Sequence, residues 1–273
     1  MQISKEHWRR SSFNRRQRFI PYLFIAPNLA IFLTFTVWPA IRGFYISFFE
    51  SFDGRNFDYV GVGNYSRIFS DETVKMVAAQ TAKYVFFYVL LSTTLSIAAA
   101  LTINNQQFAK GLFRAAIFLP ILLSPVVVGL IWENMLERKI GLVNLMINAL
   151  GGGNPGWLVE NNLALISVIF VGVWTHLGFY SIIVLAGLQG IDKNLLEAAS
   201  MDGATKSQLT RIIILPLLRP TTLVIVILST IHGFQSFDFI YTLTGGGPLG
   251  ATTLIVQYIY DSAFQSPIQY GLA

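Results

Sequence analysis

Three histidines, His7, His176 and His232, and no cysteine are the sequence's whole stock of nitrogen and thiolate ligands. The histidines share no paired ligand spacing, and the missing cysteine removes disulfides, thiolate metal sites and sulfur nucleophiles together. A hydrolase or transferase needs convergent acids, a metal cluster or an activated nucleophile, and the sequence assembles none of these. One segment imitates a phosphate-binding loop: Gly203-Ala204-Thr205-Lys206-Ser207 ends in Lys-Ser, but Thr205 stands where G-x-x-x-x-G-K-[ST] requires glycine. The chain therefore has no nucleotide site of its own. What it offers instead is neutral polarity in apolar surroundings. His176 and Tyr180 lie four residues apart on one helical face, flanked by Thr175 and Phe179, while Trp174 points elsewhere. Ser229, His232, Gly233 and Ser236 fall on a second stripe with Gln235 at its edge. Such groups suit two roles equally, lining a solute path and holding helices together.

The elements that carry these residues are set by composition. Of 273 residues 53% are hydrophobic and 12% charged, against roughly 25% charged in a soluble globular domain. The mean hydropathy is +0.57. Charges are absent from Phe19 to Ile41, Tyr84 to Ala109, Ala115 to Trp132, Asn161 to Ile191 and Pro220 to Phe237, and a further apolar stretch opens after Asp261. Runs near 20 residues cross a bilayer, so the reading is an all-α polytopic membrane protein: five complete spans and the opening turns of a sixth. Lys5, Arg9, Arg10, Arg15, Arg16 and Arg18 precede the first run against the single acid Glu6. Arg15-Arg16 as a twin-arginine export signal is set aside, because no small-residue cleavage site follows.

With residues 1–18, 104–114 and 191–219 inside, the inner segments hold twelve basic residues and four acids; the outer segments hold seven basic residues and ten acids. That asymmetry is the positive-inside pattern and puts the N-terminus in the cytoplasm. The pI near 9.5 thus reflects topology, and no aromatic–basic interleaving points to nucleic acid. The expected organisation is a basic cytoplasmic N-terminus over 1–18 and a transmembrane domain over 19–273. Outside, residues 42–83 lie on the surface, residues 140–159 form a short interfacial helix broken by Gly151, Gly152, Gly153 and Pro155, and Thr242 to Pro248 is a non-helical loop. Asp238 ends the fifth span and reads as a solvated helix-end charge, since no other acid at mid-depth forms a relay with it.

Between the fourth and fifth spans, Asp192 to Arg219 reads as two short helices joined at Gly203. Glu197, Ala198, Ala199, Gly203, Ile213, Leu215 and Pro216 together give EAA-x3-G-x9-I-x-LP without a mismatch. The small alanines allow close approach to another surface, with Leu195, Leu196 and Met201 beside them, and glycine makes the reversal cheap. An amphipathic connector lying on the membrane is the plainer alternative. In this pattern the chain resembles the membrane-spanning subunit of bacterial ABC importers. PYLFIAPNLAIFLTFTVWPAI from Pro21, YVGVGNY from Tyr59, and FDFIYTLTGGGPLGATTLIVQYIYDSAF from Phe237 narrow the resemblance to the carbohydrate branch, of the maltose and glycerol-phosphate kind, and to the first permease of its pair. The resemblance implies a type I importer fold of about six transmembrane helices, the last incomplete here. It implies docking of the 191–219 loop on a partner ATPase that holds ATP and Mg, with no cofactor in this chain. The partners it implies are a second permease, two ATPase subunits, an extracytoplasmic solute-binding protein, membrane lipid and a sugar, at the inner membrane. On that view His176, Phe179, Tyr180, Ser229, His232, Gln235 and Ser236 line the sugar path. The alternative, an ion-coupled secondary transporter or channel, calls for midplane ionisable groups or an internal repeat, and neither is evident.

Overall fold

The apolar run that opens at Ile20 stays helical to Ile46 across three prolines. The computed structural model describes residues 15–105 and 110–273. Lys5, Arg9, Arg10 and His7, and the middle of the 104–114 loop, lie outside the described residues. Up to Arg67, and again over Pro267–Ala273, these residues belong to one compact unit, and Ile68–Ser266 form another.

In the first unit, α1 (Arg15–Phe32) runs through a π-helical turn, Leu33–Val37, into α2 (Trp38–Ile46). Pro39 has no N–H to give the carbonyl of Phe35, and the turn before it widens, with the Trp38 N–H donating to Leu33 O. None of residues 20–46 is buried, as an apolar helix facing lipid tolerates. A small antiparallel hairpin follows, β1 (Phe49–Glu50) against β2 (Asp58–Tyr59), with Phe49 opposite Tyr59. Asp53 makes its turn: one carboxylate oxygen accepts from the backbone N–H of Arg55 and of Asn56, both at 2.8 Å. Those donors, Asn56 first, hold the Asp53 carboxyl below the usual carboxylate range. Next, α3 (Gly63–Ser70) carries Asn64, only 4% exposed. Its amide donates to Ser47 O (2.9 Å), Phe49 O (2.8 Å) and Gly271 O (3.2 Å). The Tyr270 N–H donates to Ser51 O at 3.1 Å, so the chain's last residues are tied to the hairpin.

In the second unit, α4 (Glu72–Asn105) is capped by Asp71, whose carboxylate accepts from Thr73 N at 2.7 Å. The second span therefore begins at Glu72 and not at Tyr84; a helix cap, rather than the last charge, sets its start, and Lys75 and Lys83 ride on its first turns. The third apolar run is not one straight helix either. α5 (Lys110–Phe118), a 3₁₀ turn over Leu119–Leu122 and α6 (Pro125–Met135) bend by 108° where Pro120 and Pro125 withhold backbone donors. The short helix expected over 140–159 is α7 (Leu142–Ala149), and α8 (Asn161–Gln189) spans 29 residues. Then come α9 (Lys193–Met201), α10 (Lys206–Gln208), a π segment over Leu209–Ile214, α11 (Leu215–Leu217) and, after a 64° bend, α12 (Arg219–Phe234).

The last two helices are α13 (Asp238–Thr244) and α14 (Ile255–Phe264). Thr242 to Thr244, expected in a loop, belong to α13; the helix ends only where Gly245 adopts the left-handed conformation. After Asp261 the chain stays helical only to Phe264, where Gln265 is extended and Pro267 disfavours helix in the residue before it. Among the described residues three helices are long and apolar enough to cross a membrane, or up to five if each bent pair is one span. The core sits where α4, α8 and α12 pack, with Tyr84, Tyr88, Val168, Tyr180 and Ile225 fully buried.

Candidate functional site

The loop between α8 and α12 folds from its caps. Asp192 accepts from Asn194 N at 2.9 Å and opens α9. At the other end Ala204 N donates to Ala199 O (3.0 Å) and Gly203 N to Ser200 O (3.1 Å), the two bonds of a Schellman motif, with Gly203 left-handed at φ +84°. A Cβ at Gly203 would meet nothing within 4 Å, so glycine is needed there for backbone conformation and not for space. Thr205 and Gln208 then form a capping box that starts the return arm: Thr205 N donates to Gln208 Oε1 at 2.8 Å, and Gln208 N to Thr205 Oγ1. In that arm Pro216 leaves the Ile212 carbonyl without its donor, and the preceding turns widen to π-helix as they do before Pro39.

α9 has no buried residue; Leu195 is 45% and Met201 88% exposed, with Glu197 and Ala198 also exposed. Ile213 and Pro216 are half-buried in the return arm. The motif thus forms an elbow whose first arm presents small and apolar side chains to the outside. The second helix is longer than expected, because α10, the π segment and α11 run on to Leu217.

The polar residues of the spans converge on a second locus. His232 Nδ1 and the Tyr180 hydroxyl are 2.8 Å apart, and Tyr180 is 3.2 Å from the Tyr88 hydroxyl. His176 Nδ1 donates to Gly172 O at 3.1 Å, which leaves Nε2 as an acceptor. The two imidazoles lie 5.1 Å apart, centre to centre. Tyr84 stacks on Tyr88 at 5.6 Å, and its hydroxyl is 3.1 Å from Ser236 Oγ. Gly172 makes room for this cluster, since a Cβ there would come within 2.8 Å of the Tyr84 hydroxyl.

A cleft of about 260 Å³ opens beside the cluster, with Thr175, His176, His232, Gln235, Ser236 and Asp238 as its polar lining. Of the residues expected on a path, His176, His232, Gln235 and Ser236 reach this cleft. Phe179 stands behind His232 with the rings 6.3 Å apart. Tyr180 is fully buried and braces His232 instead of lining the cleft, and Ser229 is fully buried with its hydroxyl donating to Val226 O. Trp174 turns to a neighbouring helix, edge-on to Trp132 at 5.3 Å.

Tyr84 and Tyr88 were not among the expected residues, although their spacing of four repeats that of His176 and Tyr180 on the facing helix. Asp238 opens α13 after a break at 235–237 instead of closing α12; it is exposed, as a helix-end charge should be, and it is also one of the residues lining the cleft. Among the described residues no three His, Cys, Asp or Glu side chains cluster as metal ligands would.

Comparison with known proteins bears on both loci. Residues 84–273 match the family described as the binding-protein-dependent transport system inner membrane component. Over 90% of its length the chain is 35% identical to the trehalose/maltose transport system permease protein MalF of Thermococcus litoralis, covering 83% of that protein. It is 32% identical to the sn-glycerol-3-phosphate transport system permease protein UgpA of Agrobacterium fabrum, over 90% of this chain and 85% of that one. The fold is similar to a chain of the bacterial alginate ABC transporter solved in complex with its alginate pentasaccharide-bound periplasmic protein: TM-score 0.81 and 26% identity, covering 94% of this chain and 87% of that chain.

Proposed function

Because this chain belongs to the family of binding-protein-dependent transport system inner membrane components, we propose that it passes a carbohydrate or related polyol across the inner membrane and is driven through the 191–219 loop by a partner ATPase. It is a multi-pass ABC importer permease subunit and not itself an enzyme. In this reading it is the first permease of a pair. ATP and Mg are held by two ATPase subunits on the cytoplasmic side, and a solute-binding protein delivers from outside. The basic N-terminus over 1–18 and the 191–219 loop lie in the cytoplasm, and 19–273 is the permease domain. His176, His232, Gln235 and Ser236 contact the solute, Tyr180 and Phe179 hold His232, and Ser229 packs helices. The solutes named for its relatives include neutral disaccharides and anions alike, so membership of the family leaves the charge of the solute open.

The elbow at Gly203 is the observation that carries the coupling role. A helix whose exposed face is Ala198, Leu195 and Met201, turned back on itself by a Schellman cap, is a rigid plug for another protein's groove, and rigidity is what transmitting a conformational change requires. The test is Gly203→Val. A β-branched residue is strongly disfavoured at φ +84°, while the open space removes any packing effect. Membrane insertion should be normal, recovery of the ATPase with the purified permease should fall, and uptake should be lost. Wild-type uptake and recovery in this variant would remove the docking role from the elbow.

A further inference from the structure

We propose that Asp238 makes the cleft selective for uncharged solutes, so that a neutral sugar passes this chain and a sugar phosphate or uronate does not; this rests on the importer reading above. The six polar residues of the cleft include a single formal charge, the Asp238 carboxylate, and among the described residues no lysine or arginine lines it. Among the described residues Asp238 forms no ion pair. Thr175, Gln235 and Ser236 are neutral, and His176 presents Nε2 as a lone pair because its Nδ1 proton is committed to Gly172 O.

A free carboxylate beside such groups accepts hydrogen bonds from two hydroxyls, the pattern that a sugar ring offers. A phosphate or carboxylate on the solute meets the opposite situation. It would lose hydration on entering the cleft, find no cation among the described lining residues, and face a like charge, and such juxtaposition suppresses a wrong partner. The break at 235–237 brings this about, because it ends α12 at Phe234 and leaves Asp238, exposed at the start of α13, in the lining of the cleft that His176 and His232 share.

The absence of cysteine makes the charge of the cleft directly measurable. In the complete transporter, with both permeases and the ATPases in nanodiscs, Gln235→Cys is treated with positively and negatively charged methanethiosulfonates of equal size. Modification of this chain is followed by mass, and rates are normalised to a free thiol. With Asp238 present the positive reagent should react about tenfold faster than the negative one, since a unit charge a few ångströms away changes each rate about threefold even at water's dielectric constant. Asp238→Glu should keep the ratio, Asp238→Asn should bring it near unity, and Asp238→Lys should invert it. A ratio in Asp238→Asn within about twofold of that with Asp238 would overturn the proposal. So would reaction with neither reagent in both resting and nucleotide-bound transporter, because a cleft that no solute reaches cannot select.

A second arm supplies the wild-type transporter with solutes. Uptake of a uronate or sugar phosphate as fast as a neutral sugar would overturn the filter and leave the importer reading standing. Failure of the importer reading would appear in the Gly203→Val test, which does not depend on the charge of the cleft.

Discussion

At the scale of single residues, one phenol decides how the cleft presents its histidine. Tyr180 is buried, and its hydroxyl lies within hydrogen-bond reach of both His232 Nδ1 and the Tyr88 hydroxyl, so Tyr180→Phe takes a partner from the buried Tyr88 hydroxyl and from the half-buried His232 at a cost of about 1–3 kcal/mol. Transport kinetics in proteoliposomes separate this bracing role from direct contact. His232→Ala should raise the solute concentration for half-maximal uptake about fivefold or more, with complex assembly unchanged. Tyr180→Phe should raise it less and should also lower the melting temperature. Wild-type kinetics in His232→Ala would leave this cluster a helix-packing device. The pairing of His176 with Tyr180 was legible from helical spacing, as was the stripe from His232 to Ser236. That Ser229 and Tyr180 turn inward was not, because period 3.6 gives the face of a helix but not the depth of its neighbours.

At the scale of elements, prolines and caps drew the boundaries that charge alone misjudged. Pro39 and Pro216 each follow a π-helical turn, and Pro120 and Pro125 break the third run into a bent pair. Asp71 starts α4 well before the last charge. The hairpin unit depends on Asn64, one side chain that serves three backbone carbonyls from distant stretches of chain. Asn64→Ala should therefore loosen the hairpin and the last residues together, at a cost of about 1–3 kcal/mol. Amide exchange followed by mass spectrometry reads this directly, as lost protection at Val60 and Tyr270, whose N–H groups donate to Phe48 O and Ser51 O. Protection lost at Val60 but kept at Tyr270 would show that the two segments are held independently.

At the scale of the whole molecule, the proposed orientation puts Ser207 in the cytoplasm and Asn56 outside. The cysteine-free chain makes the check simple: on intact cells an impermeant thiol reagent should label Asn56→Cys and not Ser207→Cys, and the reverse pattern would invert the topology. Composition and charge order were enough to determine a multi-span membrane protein, and seven residues from Glu197 to Pro216 were enough to point to an importer subunit and to its elbow at Gly203. Those features are local or additive: hydropathy sums along a run, and a glycine turn depends on its own backbone. The cleft is neither. Tyr84 and Tyr88 back it from α4, buried behind the histidines, His176 enters it from α8 and His232 from α12, while Asp238 joins its lining only because the chain breaks at 235–237 and restarts as α13. Which polar side chains meet, and whether a carboxylate stands among them, is set by how the helices pack and where they bend, and only the tertiary structure decides that.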